Sequence, residues 1–105
     1  MSTNVIELVT YKLKADADLS QLRDTHEEVN AWLLQQPGFL YRSLSQDEQS
    51  TWFDIVYWEN METAKAAGEA FMSAPAGQAL MTVCDMDSCF MRHMTVETAQ
   101  PGENI

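Results

Sequence analysis

Two stretches of this chain carry apolar side chains at both parities of an extended strand, and that restricts the fold more than any other feature. Val5, Ile6, Glu7, Leu8, Val9, Thr10, Tyr11 and Lys12 are β-branched, aromatic and apolar, the composition of a strand. Residues 51–59 repeat the pattern, with Trp52, Phe53, Tyr57 and Trp58. A strand that alternates apolar and polar buries one face; one that does not has cover on both. A layer of helices supplies one cover, and the second must come from elsewhere.

The rest of the chain supplies those helices. Asp18, with Gln21 three places on, approximates a capping box. Leu19, Leu22, His26, Val29 and Leu33 follow at spacings of three and four, which predicts one amphipathic helix with His26 in its apolar stripe. Arg23, Asp24, Glu27, Glu28 and Asn30 lie off the stripe, and Pro37-Gly38 ends the helix. Phe39 to Gln46 reads as a second strand, joined through Asp47-Glu48-Gln49-Ser50 to the third as a hairpin. Asn60 caps a second helix whose apolar face is Met61, Ala64, Ala67, Gly68, Phe71 and Met72. Pro75 begins a short helix through Met81, and Phe90 to Val96 reads as the fourth strand.

The order β-α-β-β-α-β is the ferredoxin-like arrangement, an α+β fold with a four-stranded antiparallel sheet. Both helices cover one sheet face. The other face exposes either Val5, Val9, Val56 and Trp58 or their opposite-parity neighbours, at a cost near 25 cal/mol per Å² of apolar surface. A homodimer packed through the sheet face removes that cost. Residues 1–97 form the expected domain and 98–105 a polar C-terminal tail.

Composition narrows the function. The 105 residues hold 16 acidic and six basic side chains, a net charge of −10, which disfavours nucleic acid and anionic membranes as partners and favours solubility. No apolar run approaches the roughly 20 residues of a membrane span. Met1 to Asn4 lacks a secretory pattern, so the expected location is cytoplasmic. Cys84 and Cys89 read as a reduced pair, since zinc sites need closer spacing and further ligands. The four glycines are scattered and form no phosphate loop, so no cofactor is expected.

The chain resembles the dimeric α/β-barrel superfamily, and within it the antibiotic-biosynthesis-monooxygenase-like domains. The resemblance rests on Pro37-Gly38-Phe39, on Trp52-Phe53-Asp54-Ile55-Val56-Tyr57-Trp58-Glu59, and on Glu62, Ala64, Ala67 and Phe71. It spans residues 4–97. It implies a homodimer with a pocket for a small apolar or aromatic ligand in each protomer. It also implies a cofactor-independent monooxygenase-like enzyme acting on a small aromatic or quinol-type substrate. The alternative is a non-catalytic small-ligand-binding or dimerisation module. Haem-degrading members carry an axial histidine near the end of helix two. This chain has none between His26 and His93, which argues against haem in that mode.

His26 is the expected base, because a neutral imidazole between helix and sheet can take a proton from a phenol; its other reading is a satisfied core histidine. His93 shares a strand face with Met91 and Cys89, facing pocket, dimer seam or solvent. Glu7 and Asp54 are charged residues in otherwise apolar strands and require partners, with Arg42 and Arg92 available. They form either an ion-pair network at the dimer interface or a carboxylate that orients a histidine. The catalytic set is therefore His26, Asp54 and His93, with Trp32, Tyr57 and Phe71 shaping the pocket.

Overall fold

A computed structural model describes residues 3–102. Its elements are β1 (Val5–Leu13), α1 (Leu19–Arg23), α2 (His26–Leu34), β2 (Phe39–Gln46), β3 (Trp52–Trp58), α3 (Met61–Ser73), α4 (Pro75–Val83) and β4 (Cys84–Thr95). The strands form one antiparallel sheet in the order β2-β3-β1-β4. This is the ferredoxin-like topology with each crossover helix in two pieces.

Local hydrogen bonds account for the boundaries. The Asp18 carboxylate accepts from Gln21 N–H at 3.0 Å, and Gln21 Oε1 accepts from Asp18 N–H at 2.8 Å, a complete capping box. Asn60 Oδ1 accepts from Thr63 N–H at 2.8 Å. Gly38 sits at φ 81°, where a Cβ would also stand 2.5 Å from Thr63 Oγ1, so only glycine fits this helix-to-strand turn. In the hairpin, Asp47 Oδ1 accepts from the N–H groups of Gln49 and Thr51, which lets Ser50 adopt φ 65°.

Two elements differ from the sequence reading. The first helix breaks at Asp24-Thr25. Thr25 Oγ1 donates to the Leu22 carbonyl at 2.7 Å, and its N–H reaches the same oxygen at 3.0 Å, a local bond that competes with helix propagation. The fourth strand begins at Cys84, six residues before Phe90. The added segment pairs with β1 through an irregularity between Thr10 and Lys12. Residues 98–102 continue without helix or strand. The rest of the expected tail, 103–105, and Met1 and Ser2 lie outside the described residues.

The helices cover the sheet face bearing Val5, Glu7, Val9 and Tyr11 of β1 and Trp52, Asp54, Val56 and Trp58 of β3. Val5, Tyr11, Val56 and Trp58 join Leu22, Val29, Leu33, Ala64, Ala67, Ala76, Leu80 and Val83 in the core. The opposite-parity set, Ile6, Leu8, Phe53, Ile55 and Tyr57, forms the outer face and is only half-buried. No helix among the described residues is long and apolar enough to cross a membrane.

Candidate functional site

Between the sheet and α2, α3 and α4 lies a cavity of about 570 Å³. Its floor is the inner sheet face, including Glu7, Val9, Val56, Met91 and His93. Trp32 and Leu33 of α2, Gly68 and Phe71 of α3 and Leu80 and Met81 of α4 complete the walls. Trp32 and Phe71 meet at a centroid distance of 5.1 Å and 59°, a tilted aromatic wall suited to a flat apolar ligand.

Two groups of polar side chains on the sheet enter this mostly apolar space. At one, Glu7 and His93 stand opposite each other on β1 and β4, with His93 Nε2 3.9 Å from Glu7 Oε2. Glu7 Oε1 accepts from Trp58 Nε1–H at 3.3 Å. A Cβ at Gly68 would lie 3.3 Å from Glu7 Oε2, so the glycine leaves room for the carboxylate. His93 Nε2 is buried and has no hydrogen-bond partner. Burial raises the Glu7 pKa above the ordinary carboxylate value. The Trp58 bond works against that rise and the Asp54 charge adds to it. Burial, aided by the Lys65 charge, lowers the His93 pKa. Both shifts favour the uncharged form of the group, and both side chains line the cavity.

At the other place Asp54 accepts two bonds from Arg42, at 2.9 and 2.7 Å, and a longer one from Tyr11 OH at 3.4 Å. Arg42 Nη1 donates to Asn30 Oδ1 at 2.8 Å. Burial disfavours the Arg42 charge, but the bonds with Asp54 outweigh it and raise the Arg42 pKa. Burial, then the Asp54 charge, pushes the Tyr11 hydroxyl well above its usual range. This network lies beneath the helices, on the covered face of the sheet. Arg92 takes no part; its guanidinium lies 4.9 Å from the Phe90 ring centroid.

Trp32, Phe71, Asp54 and His93 therefore come together at one cavity. His26 and Tyr57 do not. His26 lies in a separate shallow cleft of about 230 Å³ with Asn30, Arg42 and Leu44, because the helix break moves Thr25, 6% exposed, into the stripe position His26 was expected to hold. Tyr57 alternates to the outer face, where its ring meets Tyr41 at 6.3 Å. Tyr11 and Lys65 also line the cavity. Tyr11 shares parity with Glu7 and Val9, a signal present in the sequence. Nothing local marks Lys65. Among the described residues no group of three or more His, Cys, Asp or Glu is placed to hold a metal.

No protein-family model and no curated protein matches this chain. Solved structures do. A point mutant of SnoaB, a cofactor-independent oxygenase from Streptomyces nogalater, superposes with a TM-score of 0.72 at 14% identity, over 94% of this chain and 98% of that one. This chain has the antibiotic-biosynthesis-monooxygenase-like fold. The monooxygenase ActVA-Orf6 of Streptomyces coelicolor, in complex with nanaomycin D, gives 0.69 at 18% identity over 96% and 94%. A haem-degrading protein of Mycobacterium tuberculosis gives 0.66 at 16% over 97% and 100%. At these identities the likeness concerns the fold.

Proposed function

We propose that this chain is a cofactor-independent monooxygenase-like enzyme acting on a small aromatic or quinol-type substrate, with His93 as the base. The observation that carries the reading is the unpartnered, buried His93 Nε2, set beside Glu7 in a mostly apolar cavity. A buried acceptor without a donor is costly, and a substrate hydroxyl relieves it. The base role thus passes from His26 to His93, because His26 does not line that cavity. Support also comes from the described activities of SnoaB and ActVA-Orf6, which share this fold.

In this reading the substrate O–H bond breaks and its proton moves to Nε2. The resulting phenolate gives one electron to dioxygen. The two radicals combine through a new C–O bond, and His93 returns the proton to the peroxide oxygen; loss of the proton on that carbon then breaks the O–O bond, leaving a carbonyl and releasing the second oxygen as water. Glu7 stabilises the transient imidazolium across 3.9 Å. The test is oxygen uptake by the purified protein with a panel of polycyclic phenols and quinols. His93→Asn should lower kcat by about 100-fold or more. Full activity in that variant, or a loss confined to His26→Asn, would overturn the assignment. Ligand binding without oxygen uptake would favour a binding module.

We also infer that two copies pack through the outer sheet face. Ile6, Leu8, Phe53, Ile55 and Tyr57 line it, and Tyr41 and Phe90 beside them are 59% and 53% exposed. A contiguous apolar face of this kind is a liability in a monomer.

A further inference from the structure

Cys84 and Cys89 are five positions apart on β4, and regular alternation sends such a pair to opposite faces. Both nevertheless line the wall of the large cavity. The cause is the irregular pairing of β1 with β4. Leu13 stands opposite Cys84 and Lys12 opposite Asp85, but Thr10 stands opposite Phe90. Two steps along β1 match five along β4, so three surplus residues bulge out between the cysteines.

The bulge is held by its own bonds. Lys12 N–H donates to Ser88 Oγ at 2.8 Å, Ser88 O–H donates to the Asp85 carbonyl at 2.6 Å, and Asp87 N–H donates to Asp85 Oδ1 at 3.1 Å. The Cys89 thiol lies near enough to Cys84 to act on its charge, and both line one cavity. Cys84 to Phe90, six steps along β4, face only three along β1, which draws Cys89 back toward Cys84; a disulfide needs Cα atoms about 4.4–6.8 Å apart. Cys84 is buried and Cys89 exposed, and both are free thiols. Burial, then the neighbouring Cys89, pushes the Cys84 thiol up to about 12, and burial also raises Cys89.

We propose that Cys84 and Cys89 are a redox-active dithiol that a small disulfide oxidant closes into a bridge on the cavity wall. The Cys89 thiolate attacks one sulfur of oxidised glutathione and expels one glutathione thiolate. The Cys84 thiolate then attacks Cys89 Sγ and expels the second. Two protein thiols are oxidised, one glutathione disulfide is reduced, and the two protein protons pass to the two released glutathiones. The exposed thiol admits the oxidant and the buried one resolves the mixed disulfide. Because both thiols are held in their protonated forms, the reaction accelerates as pH rises. The proposal is independent of the oxygenase reading.

The test is incubation of the reduced full-length protein with oxidised glutathione at alkaline pH, followed by trypsin and mass measurement. The tryptic segment 66–92 carries both cysteines. It should lose one hydrogen per thiol and retain no glutathione. Cys84→Ala should hold glutathione stably at Cys89, and Cys89→Ala should remain unmodified. A wild-type chain that keeps both thiols, retains glutathione at Cys89, or crosslinks to a second chain overturns the proposal. That wild-type readout does not depend on either variant folding.

Discussion

The Arg42 guanidinium meets the Asp54 carboxylate in a two-bond fork, Nε to Oδ1 at 2.9 Å and Nη2 to Oδ2 at 2.7 Å. Their side chains are 6% and 9% exposed. The pair joins neighbouring strands β2 and β3, and the Asn30 bond extends it to α2. Removing one partner leaves a buried charge uncompensated, which typically costs about 3–5 kcal/mol. Asp54→Ala should therefore lower the melting temperature by more than about 10 °C. An unchanged melting temperature would show that the pair contributes nothing net.

Both histidines have pKa values below the ordinary 6.5, each mainly through burial. A histidine with a depressed folded-state pKa binds fewer protons in the native than in the unfolded chain between those two values. Stability therefore falls as pH drops from about 6.5 through the folded-state pKa. The raised Glu7 pKa acts oppositely, but in the window beginning at the usual carboxylate value of 4.5. The double variant His26→Asn/His93→Asn should lose less melting temperature than wild type between neutral pH and pH 5.5. Parallel pH curves would contradict this.

Lys65 lowers the His93 pKa through its charge. Lys65→Met should raise the His93 titration midpoint seen by NMR and leave that of His26 in place. A midpoint unmoved at His93 would remove Lys65 from the electrostatics of the cavity.

Gly77 stands where α4 passes the end of α3. A Cβ there would fall 1.8 Å from the Phe71 carbonyl oxygen, a backbone atom that cannot swing aside. Gly77→Ala should cost at least about 2 kcal/mol in chemical denaturation and displace Phe71 from the cavity wall. Wild-type stability in this variant would contradict so close a helix junction.

Ile55 lies at the centre of the outer sheet face, paired with Leu8 and Ser43. Ile55→Asp should convert a dimer to a monomer in sedimentation, since a lone carboxylate cannot be buried between apolar sheets at low cost. A wild-type protein that sediments as a monomer would refute the sheet-face association itself.

The element order was legible because its signals are local. Asp18, Asn60 and Pro75 mark helix starts, and Gly38 and the Asp47–Ser50 turn mark chain reversals, each through bonds or backbone angles spanning a few residues. The break at Thr25 and the bulge after Cys84 were not legible. The first depends on a hydroxyl choosing a backbone carbonyl. The second depends on Lys12 of a distant strand pairing across to Ser88.

The sequence by itself determined a ferredoxin-like order of elements and strands that carry apolar residues on both faces. It also determined that Glu7 and Asp54 require partners. Only the tertiary structure decided which parity faces the helices. Period-two alternation cannot choose between two apolar faces. The choice falls to contacts between distant elements: Arg42 with Asp54, Trp58 with Glu7, and Glu7 across to His93. Those contacts hold His93 and Asp54 at the cavity, while a one-residue shift of helical phase leaves His26 outside it.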